Sequence, residues 1–348
     1  MKNHLASDLD HVLKHTEGIW EDIRGKHLFI TGGTGFFGCW LLESFAWAND
    51  KLGLNASALV LTRDPDAFKR KAPHLASHPA IQFHIGDVRS FEFPVGTFSH
   101  VIHAATEASA KLNIENPALM LDTIISGTQH TLDFARYCGA EKFLLTSSGA
   151  IYGKQPPEIT HIQEDYLGAL DTMNPKSAYG EGKRLAELLC YIYAKQFGIE
   201  SKIARCFAFV GPYLPLDAHF AVGNFIRDGI KGHPIYVNGD GTPYRSYLYA
   251  ADLAIWLWTI LCQGKDCYPY NLGSEQEINI VGLANMVADS FQPRQEVQIA
   301  EKAMPNKIPE RYVPSTQRAY LELNLRQNID LRESIERAIL WHKYSNFN

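Results

Sequence analysis

The chain has 348 residues, 46% of them hydrophobic, enough for a large core in one bilobed unit. A formal net charge of −5 argues against bulk nucleic-acid binding, which needs a basic face. The 14 His show no paired metal-ligand spacing, the 6 Cys form no Cys-x-x-Cys pair, and no run of about 18 uncharged apolar residues offers a membrane span. With no apolar signal region in residues 1–20, the expectation is a cytoplasmic protein without a metal site.

In chain order, residues 1–24 read as an amphipathic helical extension, with Leu5, Leu9, Val12 and Leu13 at helical spacing. The apolar run 26–31 predicts a strand. It ends in Gly32-Gly33-Thr34-Gly35-Phe36-Phe37-Gly38, and residues 38–51 read as a helix. Gly32 allows a sharp turn, Gly35 lets backbone approach a pyrophosphate, and Gly38 lets the new helix pack close to the strand. Strand, glycine turn and helix start in this order predict dinucleotide binding, with Thr34, Phe36 and Phe37 in the same turn.

Further strands are expected at 57–62, 80–85, 100–104, 142–147 and 201–207, with helices at 117–138 and 179–197. Such alternation predicts an α/β fold with a doubly wound parallel sheet. The strand at 142–147 ends in Ser147-Ser148, where an open parallel sheet binds its ligands, so Ser147 or Ser148 is placed to hold an oxygen being oxidised. Tyr179 and Lys183 stand four apart at a helix start and share a face. An ammonium beside a phenol lowers the phenol pKa. Tyr179 is therefore the candidate acid–base, with Lys183 tuning it and reaching a cofactor ribose. Beyond residue 208 the pattern loosens, with Pro and Gly every few residues.

The Gly-x-x-Gly-x-x-Gly turn, the Ser-Ser strand end and the Tyr-x-x-x-Lys pair, in this order, resemble the extended short-chain dehydrogenase/reductase superfamily. The similarity covers most of residues 26–342 and is strongest to the nucleotide-sugar epimerases, dehydratases and decarboxylases. Gly86-Asp87-Val88 resembles the superfamily's adenine-contacting strand end. His103-Ala104-Ala105 resembles its His-x-Ala turn beside the pyrophosphate. Residues 179–187 are similar to the version in UDP-glucuronate decarboxylases. Residues 239–253 are similar to the segment whose Arg, here Arg245, grips the nucleotide diphosphate. The resemblance implies a Rossmann-type domain over 25–207 with a return near 246–261, and a smaller C-terminal substrate lobe over 208–348. It also implies bound NAD or NADP, a nucleotide-diphosphate sugar as substrate, and a homodimer paired through helices 117–138 and 179–197. Leu188, Leu189 and Ile192 give the second helix more apolar surface than one core face needs.

Departures from the pattern shape the expected chemistry. Arg63 stands where NAD-specific relatives carry an acid, which suits the 2′-phosphate of NADP; Asp64, one residue on, serves NAD if the loop shifts. Relatives that dehydrate or decarboxylate sugars carry carboxylates after the strand-end hydroxyl, because proton transfer across C5–C6 needs an acid and a base there. Gly149 and Ala150 hold those places here, a pattern closer to the sugar 4-epimerases. Glu107 is the counterweight, since 4,6-dehydratases also carry a Glu at that position; it is read either as a hydrogen-bonding support or as a catalytic group. Ala208 and Thr123 replace two common Asn residues, which leaves Asn224, Arg245 and Arg311 as candidates for the substrate phosphates. The expected reaction is oxidation of the sugar at C4 and return of the hydride to the other face, an epimerisation. Dehydration, decarboxylation and 4-ketosugar reduction are the alternatives. A non-catalytic dinucleotide sensor is the alternative of another class, and the retained Ser, Tyr and Lys speak against it.

Overall fold

Short runs rich in Leu, Ile, Val and Phe form seven parallel strands in one sheet. The structure, a computed structural model, describes residues 3–106, 110–218, 220–304, 306 and 308–345. The strand order is Pro269–Leu272, Glu200–Cys206, Lys142–Ser148, His100–His103, His27–Thr31, Ser57–Thr62, Ile81–Ile85. Every neighbouring pair is parallel. From His27–Thr31 the chain winds outward to Ile81–Ile85, then crosses back to His100–His103 and winds the other way. This is a Rossmann-like, doubly wound sheet, and it reverses between His27–Thr31 and His100–His103. A crevice opens at the carboxyl ends of strands that diverge in this way.

Six strands lie within about a residue of the boundaries that the sequence pattern predicts. The seventh, Pro269–Leu272, leaves no such pattern. It is four residues long, begins with Pro and carries a buried Asn271, so it shows no apolar alternation. It pairs only at the sheet edge, with residues 203–206.

One face of the sheet carries the helices Phe36–Leu52 and Ala250–Gln263. The second of these is apolar all round and buried along nearly its whole length, so it is a core element rather than an amphipathic cover. Trp258 within it donates its indole N–H to Ser44 Oγ at 2.8 Å. The other face carries Pro117–Cys138 and Ala178–Phe197. Asn116 starts the first of these by accepting from Leu119 N at 3.0 Å, and Gly139 ends it with φ +73°.

The N-terminal helix is shorter than the pattern suggests. Ala6–His15 is helical, and Gly18, with φ +86°, separates it from a 3-10 turn at Ile19–Ile23. Leu5, Leu9, Val12, Ile19, Trp20 and Ile23 are all buried in the same core as the sheet. Asp8 accepts from Tyr249 at 2.6 Å and pairs with Arg337, so the segment is packed on its own fold.

A second core lies under Ala221–Ile230, Ile280–Asp289 and Leu331–Ser345, built on Val222, Phe225, Ile226, Leu283 and Val287. Beside it, Tyr244–Ser246 pairs antiparallel with Glu277–Asn279 and parallel with Arg311–Tyr312. That three-stranded sheet carries Arg245, Arg311 and Tyr312 together. Among the described residues no helix is long and apolar enough to cross a membrane, and no cluster of His, Cys, Asp and Glu is arranged to hold a metal ion.

Candidate active site

The glycine turn closes against the end of the neighbouring strand. Gly32 has φ +71°, and a Cβ there would stand 2.4 Å from the carbonyl carbon of Ala104 and 2.6 Å from the nitrogen of Ala105. Only glycine fits. A Cβ on Gly38 would lie 2.3 Å from the Gly32 carbonyl oxygen, so the helix seats directly on the turn. A Cβ on Gly35 would have only the Gly32 oxygen near it, at 3.3 Å, so this stretch of backbone is open to the cleft. Gly35 is the N-cap of Phe36–Leu52 and offers no side chain, so the free N–H groups of the first turn face whatever occupies the cleft. The cradle thus fits a dinucleotide pyrophosphate, with backbone approach where it is needed and no Cβ in the way.

His103 locks the opposing wall. Its ring sits between Thr31 Oγ1 at 2.9 Å and Thr128 Oγ1 at 3.2 Å, and burial pushes its pKa down to about 3, so it is neutral. Ala104 N donates to the Thr31 carbonyl at 3.1 Å and Ala105 N to Thr31 Oγ1 at 3.2 Å. Phe36 and Phe37 are half-buried, and Phe37 meets Phe209 edge-on at 5.1 Å.

The cleft that continues from this cradle holds about 450 Å³ and is lined by Thr34, Arg63, Lys71, Asp87, Val88 and Thr106 among others. Another hollow, of about 590 Å³ near His161, Glu275 and Arg326, shares none of these residues. Arg63 is exposed at the cleft rim. Asp64 is committed elsewhere, accepting from Ala67 N at 2.9 Å as the N-cap of Pro65–Lys71. Lys71, which belongs to no motif in the sequence, donates to the Thr34 carbonyl at 2.9 Å and so places a second cation in the cleft. Asp87 grips the Arg89 side chain at 2.8 Å, and that hydrogen bond holds its carboxyl below the usual range. Val88 packs beneath Gly127, where a Cβ would come within 2.9 Å of it.

Strand alternation separates the two serines. Ser147 donates to Glu187, whose carboxylate also pairs with Arg205 at 2.8 Å. Ser148 turns the other way, toward the phenols of Tyr179 and Tyr312; burial pushes the pKa of both up, and the Ser148 hydroxyl pulls against that rise. Ser148 is therefore the serine beside Tyr179.

Lys183 is buried, and its ammonium donates to Thr106 Oγ1 and to the Thr146 carbonyl, both at 2.7 Å. Burial lowers its pKa to about 8. The lowering of the Tyr179 pKa expected from Lys183 does not occur. Burial dominates and pushes Tyr179 up to about 12, and the group pulling against it is Ser148. Glu107 lies outside the described residues.

Over the second core, Asn224 Oδ1 accepts from Arg227 at 3.1 Å. Arg311 is ion-paired with Glu277 and lies 4.5 Å over the Tyr244 ring, so its charge is matched within the chain. Arg245 donates to the Tyr244 carbonyl at 2.8 Å, with its guanidinium 5.9 Å from the centre of the Tyr312 ring. The rings of Tyr312 and Phe207 meet at a tilt with centroids 4.7 Å apart and close over Gly149. Neither stands out in the sequence. The only local signal for Tyr312 is its place next to Arg311.

The profile of the NAD dependent epimerase/dehydratase family matches residues 28–273. The chain belongs to that family. Members similar to it include UDP-glucuronic acid decarboxylase 1 of Arabidopsis thaliana, 31% identical over 313 residues, which are 90% of this chain and 68% of that protein. UDP-glucuronic acid decarboxylase 5 of the same plant is 31% identical over 308 residues, 88% of this chain and 86% of its own length. The fold is shared with the UDP-glucose 4-epimerase of Thermotoga maritima, at TM-score 0.75 and 19% identity, covering 92% of this chain and 99% of that one. It is also shared with DesIV, a dTDP-glucose 4,6-dehydratase from Streptomyces venezuelae, at TM-score 0.76 and 22% identity over 92% and 98% of the two chains. As a member of this family the chain is an enzyme of the nucleotide-sugar epimerase, dehydratase and decarboxylase group.

Proposed function

We propose that this enzyme oxidises a nucleotide-linked sugar at C4 and then returns the hydride to the opposite face, giving the 4-epimer. The observation that carries the reading is Ser148 beside Tyr179, with Lys183 one helical turn on, next to Gly149 and Ala150, which hold no acid or base. Bound NAD(P)+ supplies the hydride acceptor. Tyr179 Oη takes the proton of the C4 hydroxyl, and Ser148 Oγ holds that oxygen in line. A positioned acid–base group of this kind is worth about 10²–10⁴-fold in rate. Lys183, with a pKa near 8, presents its ammonium beside Thr106 and Thr146 at neutral pH, where it orients the cofactor ribose. Tyr179 then returns the proton to the ketone oxygen as the hydride comes back. Arg245 is the chief candidate for the diphosphate, because Arg311 is matched by Glu277. Asn224 supports it from the Ala221–Ile230 helix.

Arg63 and Lys71 at the same cleft, with Asp64 tied up as a cap, support NADP over NAD. Leu188 at 51% and Tyr191 at 49% exposure leave apolar surface on Ala178–Phe197, which supports a homodimer through that helix and Pro117–Cys138. Leu189 and Ile192 are half-buried against the chain's own core and contribute less. Free cysteines at all six positions fit a reducing cytoplasm.

The second reading is decarboxylation, favoured by relatives at 31% identity that carry that name. One experiment separates the two. Purified protein is incubated with UDP-, dTDP-, GDP- and CDP-sugars, and products are read by mass spectrometry and NMR. Unchanged mass with inversion at C4 supports the epimerase. Loss of carbon dioxide identifies a decarboxylase, loss of water a dehydratase, and a change of two hydrogens a net oxidation or reduction.

A further inference from the structure

The wall opposite the glycine turn has a cation behind it. Lys183 is 2% exposed, so its ammonium has given up nearly all contact with solvent. The three N–H donors on that nitrogen need acceptors in the protein or on a ligand. Thr106 Oγ1 and the Thr146 carbonyl accept from it, each at 2.7 Å. Among the described residues no carboxylate forms an ion pair with it. Glu187, one helical turn on, favours the charge from a distance but is itself held by Ser147 and Arg205.

The two acceptors differ in kind. The Thr146 carbonyl belongs to the strand Lys142–Ser148, inside the sheet, and is fixed by the backbone. Thr106 acts through its side chain, and it lines the cleft that continues from the glycine turn. Its hydroxyl proton goes to the Ala105 carbonyl at 2.8 Å, which leaves its oxygen to accept from Lys183. Ala105 N is tied in turn to Thr31 Oγ1 at 3.2 Å, and Thr31 ends the strand that enters the glycine turn. Gly32 packs directly against Ala104. One run of contacts therefore leads from the pyrophosphate cradle through Thr31 and Ala105 to Thr106 and Lys183.

The other groups around the ammonium keep their charge state near neutrality. Burial pushes the Cys206 thiol and the Tyr179 phenol up to about 12 and raises the Cys190 thiol well above its usual value, so all three hold their protons. His103, pushed down to about 3, is neutral. Lys183, at about 8, is the group in this wall that titrates just above neutral pH. Taking one acceptor from a buried ammonium weakens the charged form more than the neutral one, so the proton is lost at lower pH.

We infer that Thr106 is the positioning residue for Lys183: its hydroxyl holds the ammonium at the cleft wall and keeps it charged for the cofactor. The inference rests on the assignment of Lys183 to the cofactor ribose and names the side chain that makes that role possible.

The test is calorimetric titration of NAD+ and of NADP+, separately, between pH 6 and 9.5, into wild type, Thr106→Val, Thr106→Ser and Lys183→Met. Wild-type affinity should fall roughly 10- to 100-fold as pH rises through about 8, the worth of a hydrogen bond from a charged group. Lys183→Met should bind weakly and lack that fall. Thr106→Val keeps the branched shape and loses the acceptor; its fall should lie about one pH unit lower, with affinity near the wild-type value at pH 6. Thr106→Ser keeps the hydroxyl and should return the fall to the wild-type pH. The position of the fall is read within each variant, so a partial loss of folded protein leaves it unchanged. A Thr106→Val profile that falls at the wild-type pH, whatever its absolute affinity, overturns the inference, as does a Thr106→Ser profile displaced as far as that of Thr106→Val. A wild-type profile with no fall near pH 8, or a fall that survives in Lys183→Met, overturns the assignment of Lys183 to the cofactor, and the inference with it.

Discussion

Tyr312 occupies the space that a side chain on residue 149 would need: its hydroxyl lies 2.8 Å from the point where a Cβ on Gly149 would stand. The missing carboxylate at Gly149 is thus coupled to an aromatic residue far away in the chain. Restoring an acid at 149 alone cannot restore acid–base chemistry at C5 and C6.

Gly149→Asp should accordingly fail to create a dehydratase. The new side chain must displace Phe207 and Tyr312, and overpacking of this kind costs about 1–3 kcal/mol. Chemical denaturation should show the loss of stability, and mass spectrometry should show no product lighter by one water.

The glycines of the turn should separate by role. Gly35→Val projects a side chain into the cleft with only the Gly32 oxygen near it, so the protein should fold and lose NAD(P) binding in calorimetry. Gly38→Ala drives a Cβ to 2.3 Å from backbone and should lower the melting temperature instead.

Arg63→Ala and Lys71→Ala should each weaken NADP binding more than NAD binding, because both cations line the cleft while Asp64 is held as a helix cap. Calorimetric titration of both cofactors against both variants reads this directly. Equal losses for the two cofactors would remove the basis for preferring NADP.

His103 gives the stability a definite pH dependence. Folded, its pKa is about 3; unfolded, it takes a proton near 6.5. Between those values the unfolded chain binds the extra proton, so stability falls as pH drops from about 6.5 toward 3. His103→Gln should flatten that limb by on the order of a few kcal/mol relative to wild type, measured by urea denaturation across the range.

The parts of this site that follow from short-range pattern are legible in the sequence. Gly32, Gly35 and Gly38 sit within one turn, and Tyr179 and Lys183 within one turn of helix. Their roles depend on local geometry that spacing specifies. The choice between Ser147 and Ser148 is not legible, because it depends on which face of the strand meets Ala178–Phe197, and a shift of one residue exchanges the faces. Lys71 is hidden for a similar reason: it ends a short helix, and only folding lays its ammonium on the Thr34 carbonyl. Tyr312 reaches Phe207 from the small sheet around Tyr244–Ser246, whose strands are two or three residues long and leave no periodic trace. The direction of the Tyr179 pKa shift escapes the local i, i+4 argument, which contains the Lys183 charge but not the burial, and burial is the larger effect.

In the proposed reaction Tyr179 moves the proton of the sugar C4 hydroxyl, and steady-state kinetics of Tyr179→Phe reads that role out. The variant keeps the ring and loses only the ionisable oxygen. On the nucleotide sugar identified by the substrate panel, kcat should fall by about 10²–10⁴-fold with KM little changed. A Tyr179→Phe protein that retains full kcat on that substrate would contradict the account.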